Sequence, residues 1–194
     1  MYSYDEVFAR EMLPGEKILW QGKPNPAKIF TKFDIFLVPF SILFGGGSIF
    51  AFSTVMTIGA PFIIFDVFGV FFAVVGLYFL FGRFLVKNAN KRNTYYLITN
   101  MRVISMKITA NHVKKSSVSA QINSTPSESA SIGGNGIGTI TFGVVPIFYA
   151  MYLNTGLDFF AGPFQNNSVI FFDIDDCESV FQIYRNVKYQ NFAK

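Results

Sequence analysis

Charge is absent from most of the stretch 34–86, and that absence constrains this chain more than any other feature. No charged residue occurs from 35 to 65; Asp66 interrupts, and the next charge is Arg83. A bilayer core takes about 20 mostly apolar residues per helix. The run therefore accommodates two spans, about 35–56 and 62–84, with Thr57-Ile58-Gly59-Ala60-Pro61 as the turn between them. A soluble helix shows a polar face, and this run has none. The expected class is a membrane protein carrying a two-helix transmembrane hairpin.

Basic residues set the expected orientation. Lys17, Lys23, Lys28 and Lys32 precede the first span, Arg83, Lys87, Lys91 and Arg92 follow the second, and the turn has none. Positive residues stay on the cytoplasmic side, so both termini are expected there. Gly45, Gly46 and Gly47 lie in the first span, although each glycine costs about 1 kcal/mol in a helix. Gly69, Ala73 and Gly76 share one face of the second span. Small residues allow close backbone approach in lipid, so these two sets are expected to pack. Asp66 is the one acid inside a span; near the outer end of its helix it complements the N-terminal dipole, while an intramembrane acid is also a functional candidate.

With 194 residues, the chain has room for the hairpin and one small domain, divided as 1–33, 34–86 and 87–194. Only 14% of residues are charged, low for a soluble protein, against 51% hydrophobic and 18% aromatic. No acid occurs from 67 to 127, so Arg83, Lys87, Lys91, Arg92, Arg102, Lys107, Lys114 and Lys115 form a basic block beside the membrane, where anionic headgroups attract it. Nucleic acid is not expected as a partner, because the topology already accounts for these charges. A single cysteine, Cys177, excludes an intrachain disulfide. The first residues lack the apolar core of a secretory signal, so the first span is expected to act as an uncleaved anchor.

Outside the spans, Ser3-Tyr4-Asp5-Glu6 reads as a capping box opening a short helix that runs to about Met12. Glu16 to Gly22 reads as a strand, with Trp20 either in its core or in a membrane belt. Tyr95-Tyr96-Leu97-Ile98-Thr99 and Arg102-Val103-Ile104-Ser105-Met106-Lys107-Ile108 form a predicted hairpin around Asn100-Met101. Further strands are expected at 113–123, before Gly133-Gly134-Asn135-Gly136, at Thr139-Ile140-Thr141-Phe142 and at 168–172. Asp173 or Asp175 then caps an amphipathic helix whose stripe is Cys177, Val180, Phe181, Tyr184 and Val187. The expectation is α+β: an antiparallel half-open barrel lidded by a C-terminal helix.

Four pieces carry a resemblance: Leu13-Pro14-Gly15-Glu16-Lys17-Ile18-Leu19-Trp20-Gln21-Gly22-Lys23-Pro24, then Tyr96-Leu97-Ile98-Thr99-Asn100-Met101-Arg102-Val103-Ile104, then the glycine-rich run Gly136 to Gly143, and the helix with Val180-Phe181-Gln182-Ile183. In that order they resemble the bacterial pleckstrin-homology-like family of small membrane proteins. The resemblance implies a cytoplasmic barrel held beside the bacterial inner membrane and implies no enzyme. The aromatic insertion 144–167 departs from the pattern. Headgroup binding does not follow from the fold alone.

Catalytic patterns are missing. His112 is the only histidine, and no Gly-x-Ser-x-Gly elbow occurs. One Cys and one His do not make a zinc site. Asp173-Ile174-Asp175-Asp176 lacks the calcium-loop glycine and the terminal Glu. The glycines near 134–138 complete neither a dinucleotide fingerprint nor a P-loop. No catalytic residue, cofactor or metal is therefore expected. The expected partners are the bilayer, a protein and anionic headgroups, with a homo-oligomer open. Candidate contact residues are Arg83, Lys87, Lys91, Arg92, Phe159, Phe160 and Phe164. The leading expectation is a non-enzymatic adaptor; the alternative is a subunit of an oligomeric channel or transporter using Asp66. The segment around Phe159 and Phe160 reads either as barrel core or as an exposed aromatic patch.

Overall fold

The computed structural model describes residues 8, 11–31, 33–58, 63–108, 115–164 and 168–192. The expected capping box at 3–6, the turn residues 59–61, His112, Lys114 and the side chains of Asp66 and Phe164 lie outside that description. The chain forms two compact units. One contains Met1–Asn25, Lys91–Val145 and Asn166–Lys194; the other contains Pro26–Asn90 and Pro146–Gln165.

The second unit is built on α1 (Asp34–Ile58) and α2 (Ile63–Leu77). A π-helical stretch, Tyr78–Gly82, continues α2 into α3 (Arg83–Arg92). Both long helical stretches are long and apolar enough to cross a membrane. Their outward faces are apolar rather than polar: Phe36, Leu43, Phe50, Val67 and Phe71 are all exposed. Pro39 is tolerated in the second turn of α1, where few intrahelical bonds are lost. The short helix α4 (Ile147–Tyr152) and a 3-10 stretch, Asp158–Phe164, belong to this unit too.

The first unit is made of two antiparallel sheets. One has the order β1-β2-β3-β4, from β1 (Ile18–Gly22), β2 (Thr94–Thr99), β3 (Arg102–Ile108) and β4 (Lys115–Gln121). The other has the order β5-β6-β7, from β5 (Glu128–Ile132), β6 (Gly138–Phe142) and β7 (Val169–Ile174). The expected barrel is not supported: among the described residues the two sheets are not joined by strand pairing and remain open. They meet through side chains instead. Tyr96, Ile98 and Val103 from the first sheet share a core with Ile140, Phe142, Val169 and Phe171 from the second. Alternation along β6 and β7 puts every second residue into this core.

Helix α5 (Cys177–Phe192) closes the core with Cys177, Val180 and Tyr184 buried and Phe181 and Val187 packed at the edge. Trp20 is a core residue and not a belt residue: it stacks on Phe171 at 6.0 Å. A Cβ at Gly22 would lie 2.5 Å from the Trp20 ring, so the strand needs glycine there. A smaller cluster of Phe8, Leu97, Ile104 and Met106 covers the opposite face of the four-stranded sheet. Asp173 pairs with Lys91, Asp175 accepts from Asn25, and Asp176 directly precedes the helix.

Candidate functional site

Three polar clusters and one cleft stand out, each within a single unit. The first lies where the two long helices begin and end. Thr31 and Asp34 make reciprocal contacts at the start of α1: the Thr31 N–H donates to Asp34 Oδ2 at 2.6 Å, and the Asp34 N–H donates to the Thr31 carbonyl at 3.0 Å. This fixes Asp34 in the first turn, much as the third residue of a capping box is fixed. Arg83 Nη1 then reaches Asp34 Oδ1 at 2.7 Å and Lys87 Nζ reaches Asp34 Oδ2 at 3.3 Å. Arg83 Nε also donates to the Phe79 carbonyl at 3.1 Å, and Lys87 donates to the Ile29 carbonyl. All three side chains are buried.

The insertion is fastened over this cluster. Gly156 has φ +83, and a Cβ there would overlap the Arg83 carbonyl. The Tyr78 hydroxyl donates to the Gly156 carbonyl at 2.5 Å. Asn90 Nδ2 donates to Asp158 Oδ2 at 3.2 Å, and the Asn154 N–H donates to Asp158 Oδ1 at 2.8 Å. The π-helical stretch places Tyr78 and Arg83 for these contacts by inserting an extra residue into the helical ladder.

A second cluster, in the sheet unit, joins Lys91 to Asp173 at 2.6 Å and to the Asn25 carbonyl at 3.1 Å. Asn25 also bonds the Asp173 carbonyl and the Asp175 carboxylate. The third cluster joins the first two motif pieces. Arg102 Nε and Nη2 grip the Glu16 carboxylate at 3.0 and 3.2 Å, and Thr99 donates to Glu16 at 2.8 Å. The Lys17 N–H donates to Asn100 Oδ1 at 2.8 Å. The Glu16 carboxyl is held below its ordinary range. Burial opposes this, but bonds from Arg102, the Leu13 N–H and Thr99, with the Arg102 charge, outweigh it. These residues lock β1 onto the β2–β3 hairpin, a structural role that spacing in the sequence does not disclose.

The cleft, of about 440 Å³, is lined by Ser119, Gln121, Ser124, Thr125, Phe142 and Ser168 among others. Lys188 donates to Glu128 at 2.5 Å and to the Thr125 carbonyl at 3.4 Å nearby. Hydroxyls and an amide share the lining with Ala120, Pro126, Phe142 and Val144, and among the described residues no carboxylate or imidazole lines it. Among the described residues, no group of three His, Cys, Asp or Glu side chains is placed to hold a metal ion.

The candidate residues therefore fall in different settings. Arg83, Lys87 and Lys91 are buried in ion pairs instead of facing headgroups, while Arg92 is exposed. Phe159 and Phe160 are exposed at 61% and 48%. A Cβ at Gly45 would lie 2.8 Å from the Gly76 carbonyl oxygen, and a Cβ at Gly69 would lie 2.6 Å from the Phe52 ring. Gly46 and Gly47 face open space, and Ala73 is half-buried. Asp34 is not among the site residues that the sequence singles out. Its signal was available as the sole acid directly ahead of a charge-free run.

Comparison with family models, curated proteins and solved structures finds no match.

Proposed function

We propose that this chain is an integral membrane protein of the bacterial inner membrane in which the helical pair anchors a two-sheet, helix-capped binding module at the cytoplasmic face. One observation carries the reading. The two long apolar helices expose phenylalanine, leucine and valine around their outer surfaces, and Asp34, Arg83 and Lys87 are gathered in one buried ion-pair cluster at one end. In water such a surface is unfavourable over hundreds of Å², whereas lipid accepts it. Lys17, Lys23, Lys28 and Arg92 support a cytoplasmic location for that end. Four strands, three strands and a closing helix support a pleckstrin-homology-like module. An adaptor role fits the cleft, whose hydroxyl and amide lining offers hydrogen bonds without a nucleophile–base pair. The occupant in this reading is a protein segment or a lipid headgroup.

The test has two parts. Alkaline carbonate should leave the full chain in the membrane pellet, and a reporter active only outside the cytoplasm should be silent after Lys194 and active when inserted at Gly59. Release by carbonate, or activity after Lys194, overturns the anchor. A photocrosslinker at Ser119 should then yield an adduct of discrete mass in intact membranes; a cleft that yields none removes the binding role.

A further inference from the structure

The segment 146–164 combines three properties that the anchor alone does not require. It is apolar, with Asp158 as its sole charge, and that carboxylate is turned inward to Asn90 and the Asn154 N–H. It is fastened, through Gly156 on Arg83 and Tyr78 on Gly156, to the end of the second long helix. It also presents large apolar side chains outward: Ile147 is 70% exposed, Phe159 61% and Phe160 48%. Underneath, Thr155, Leu157 and Ala161 are buried, so the exposed rings are not surplus core that failed to fit. Phe159 packs on Tyr78 at 6.2 Å and on Phe160 at 4.1 Å, which holds both rings in place.

The attachment point fixes a depth. Helix α2 begins at Ile63, and Arg83 lies twenty residues on, a rise of roughly 30 Å at 1.5 Å per residue. That is about the thickness of a hydrocarbon core. Tyr78 and Arg83 therefore bracket the inner boundary between acyl chains and headgroups, and whatever is fastened to them sits at the same level. We infer that segment 146–164 is a third membrane-contacting element, lying in the interface and inserting Ile147, Phe159 and Phe160 at the headgroup–acyl boundary. The occupant is the lipid surface because the patch continues, within one compact unit, the apolar surface of the helices. Aromatic rings at that level are favourable. This inference rests on the membrane reading proposed above.

Depth-resolved fluorescence quenching tests it. In a Trp20→Phe background, the full chain carries a single tryptophan as Phe160→Trp or as Phe50→Trp, reconstituted in vesicles of phosphatidylcholine and phosphatidylglycerol. The lipids are brominated either near the headgroup or deep in the acyl chain. Phe50→Trp, outward on α1, should be quenched by deep bromines and reports insertion of the spans. Phe160→Trp should emit at shorter wavelength than a water-exposed indole and lose emission most with shallow bromines. Quenching of Phe50→Trp with none of Phe160→Trp overturns this inference and leaves the membrane reading standing. A short-wavelength Phe160→Trp that no bromolipid quenches also overturns it, in favour of a protein cover. If neither tryptophan is quenched while both variants melt as the parent does, the membrane reading fails and takes this inference with it.

Discussion

Asp34 is the single acid between two buried cations, and removing its charge is the most informative perturbation. In Asp34→Asn, Arg83 and Lys87 keep their positions but lose the carboxylate that both pair with, at 2.7 and 3.3 Å. The Arg83 side chain is 0% exposed, so water cannot replace the lost partner without opening the helix ends. Breaking a buried pair from one side costs about 3–5 kcal/mol, whereas removing the whole set and packing apolar groups instead is often neutral. By the usual proportion for chains of this size, Asp34→Asn should lower Tm by roughly 6–20 °C. Asp34→Leu/Arg83→Met/Lys87→Met should recover much of that loss. A double-mutant cycle should give stronger coupling for Asp34 with Arg83 than with Lys87, since the first contact is shorter and both are equally dry. The assay is thermal melting of the full chain in mild detergent, followed by circular dichroism. An Asp34→Asn variant that melts with the parent, or a triple variant that melts no higher than Asp34→Asn, refutes a tightly packed ion-pair cluster.

Three further outcomes can be checked on the same preparation. Gly45→Ala and Gly76→Ala should each destabilise the helical pair, because the new Cβ meets partner backbone at 2.8 and 2.9 Å, whereas Gly46→Ala, facing open space, should gain up to about 1 kcal/mol of helix propensity; equal melting of the three variants would show that the helices do not meet there. Gly156→Ala should free the 146–164 segment for proteolysis at a rate the parent never shows, since a left-handed backbone alone costs about 1–2 kcal/mol with a Cβ and the Arg83 carbonyl leaves no room for one. Because the folded Glu16 carboxyl is lowered, its contribution is present above the unfolded value and is lost as pH falls through the folded one, so the parent should lose stability on acidification in a window that Glu16→Gln lacks; parallel pH–Tm curves below the usual carboxylate range would count against the Arg102 grip.

The sequence by itself determined the two long helices, the strands and the closing helix, because those depend on local periodicity. A run without charge from 35 to 65 can only be buried in protein or lipid, and alternation such as Gly138 to Phe142 marks a strand half in a core. Strand pairing was legible only for neighbours: the β2–β3 hairpin follows from Asn100-Met101, but two open sheets packed face to face, where a barrel was expected, follow from which edges meet, and no periodicity encodes that. Likewise Glu16 and Arg102 were visible only as members of two separate motifs until the fold joined them across 86 positions. The basic block shows the division most plainly. Arg83, Lys87 and Lys91 counted in the sequence as positive charge beside a membrane, and the tertiary structure turned all three inward. Their partners Asp34 and Asp173 are remote in the chain, and a charge's environment is set by what lies within a few ångströms in space, which the order of residues along the chain does not specify.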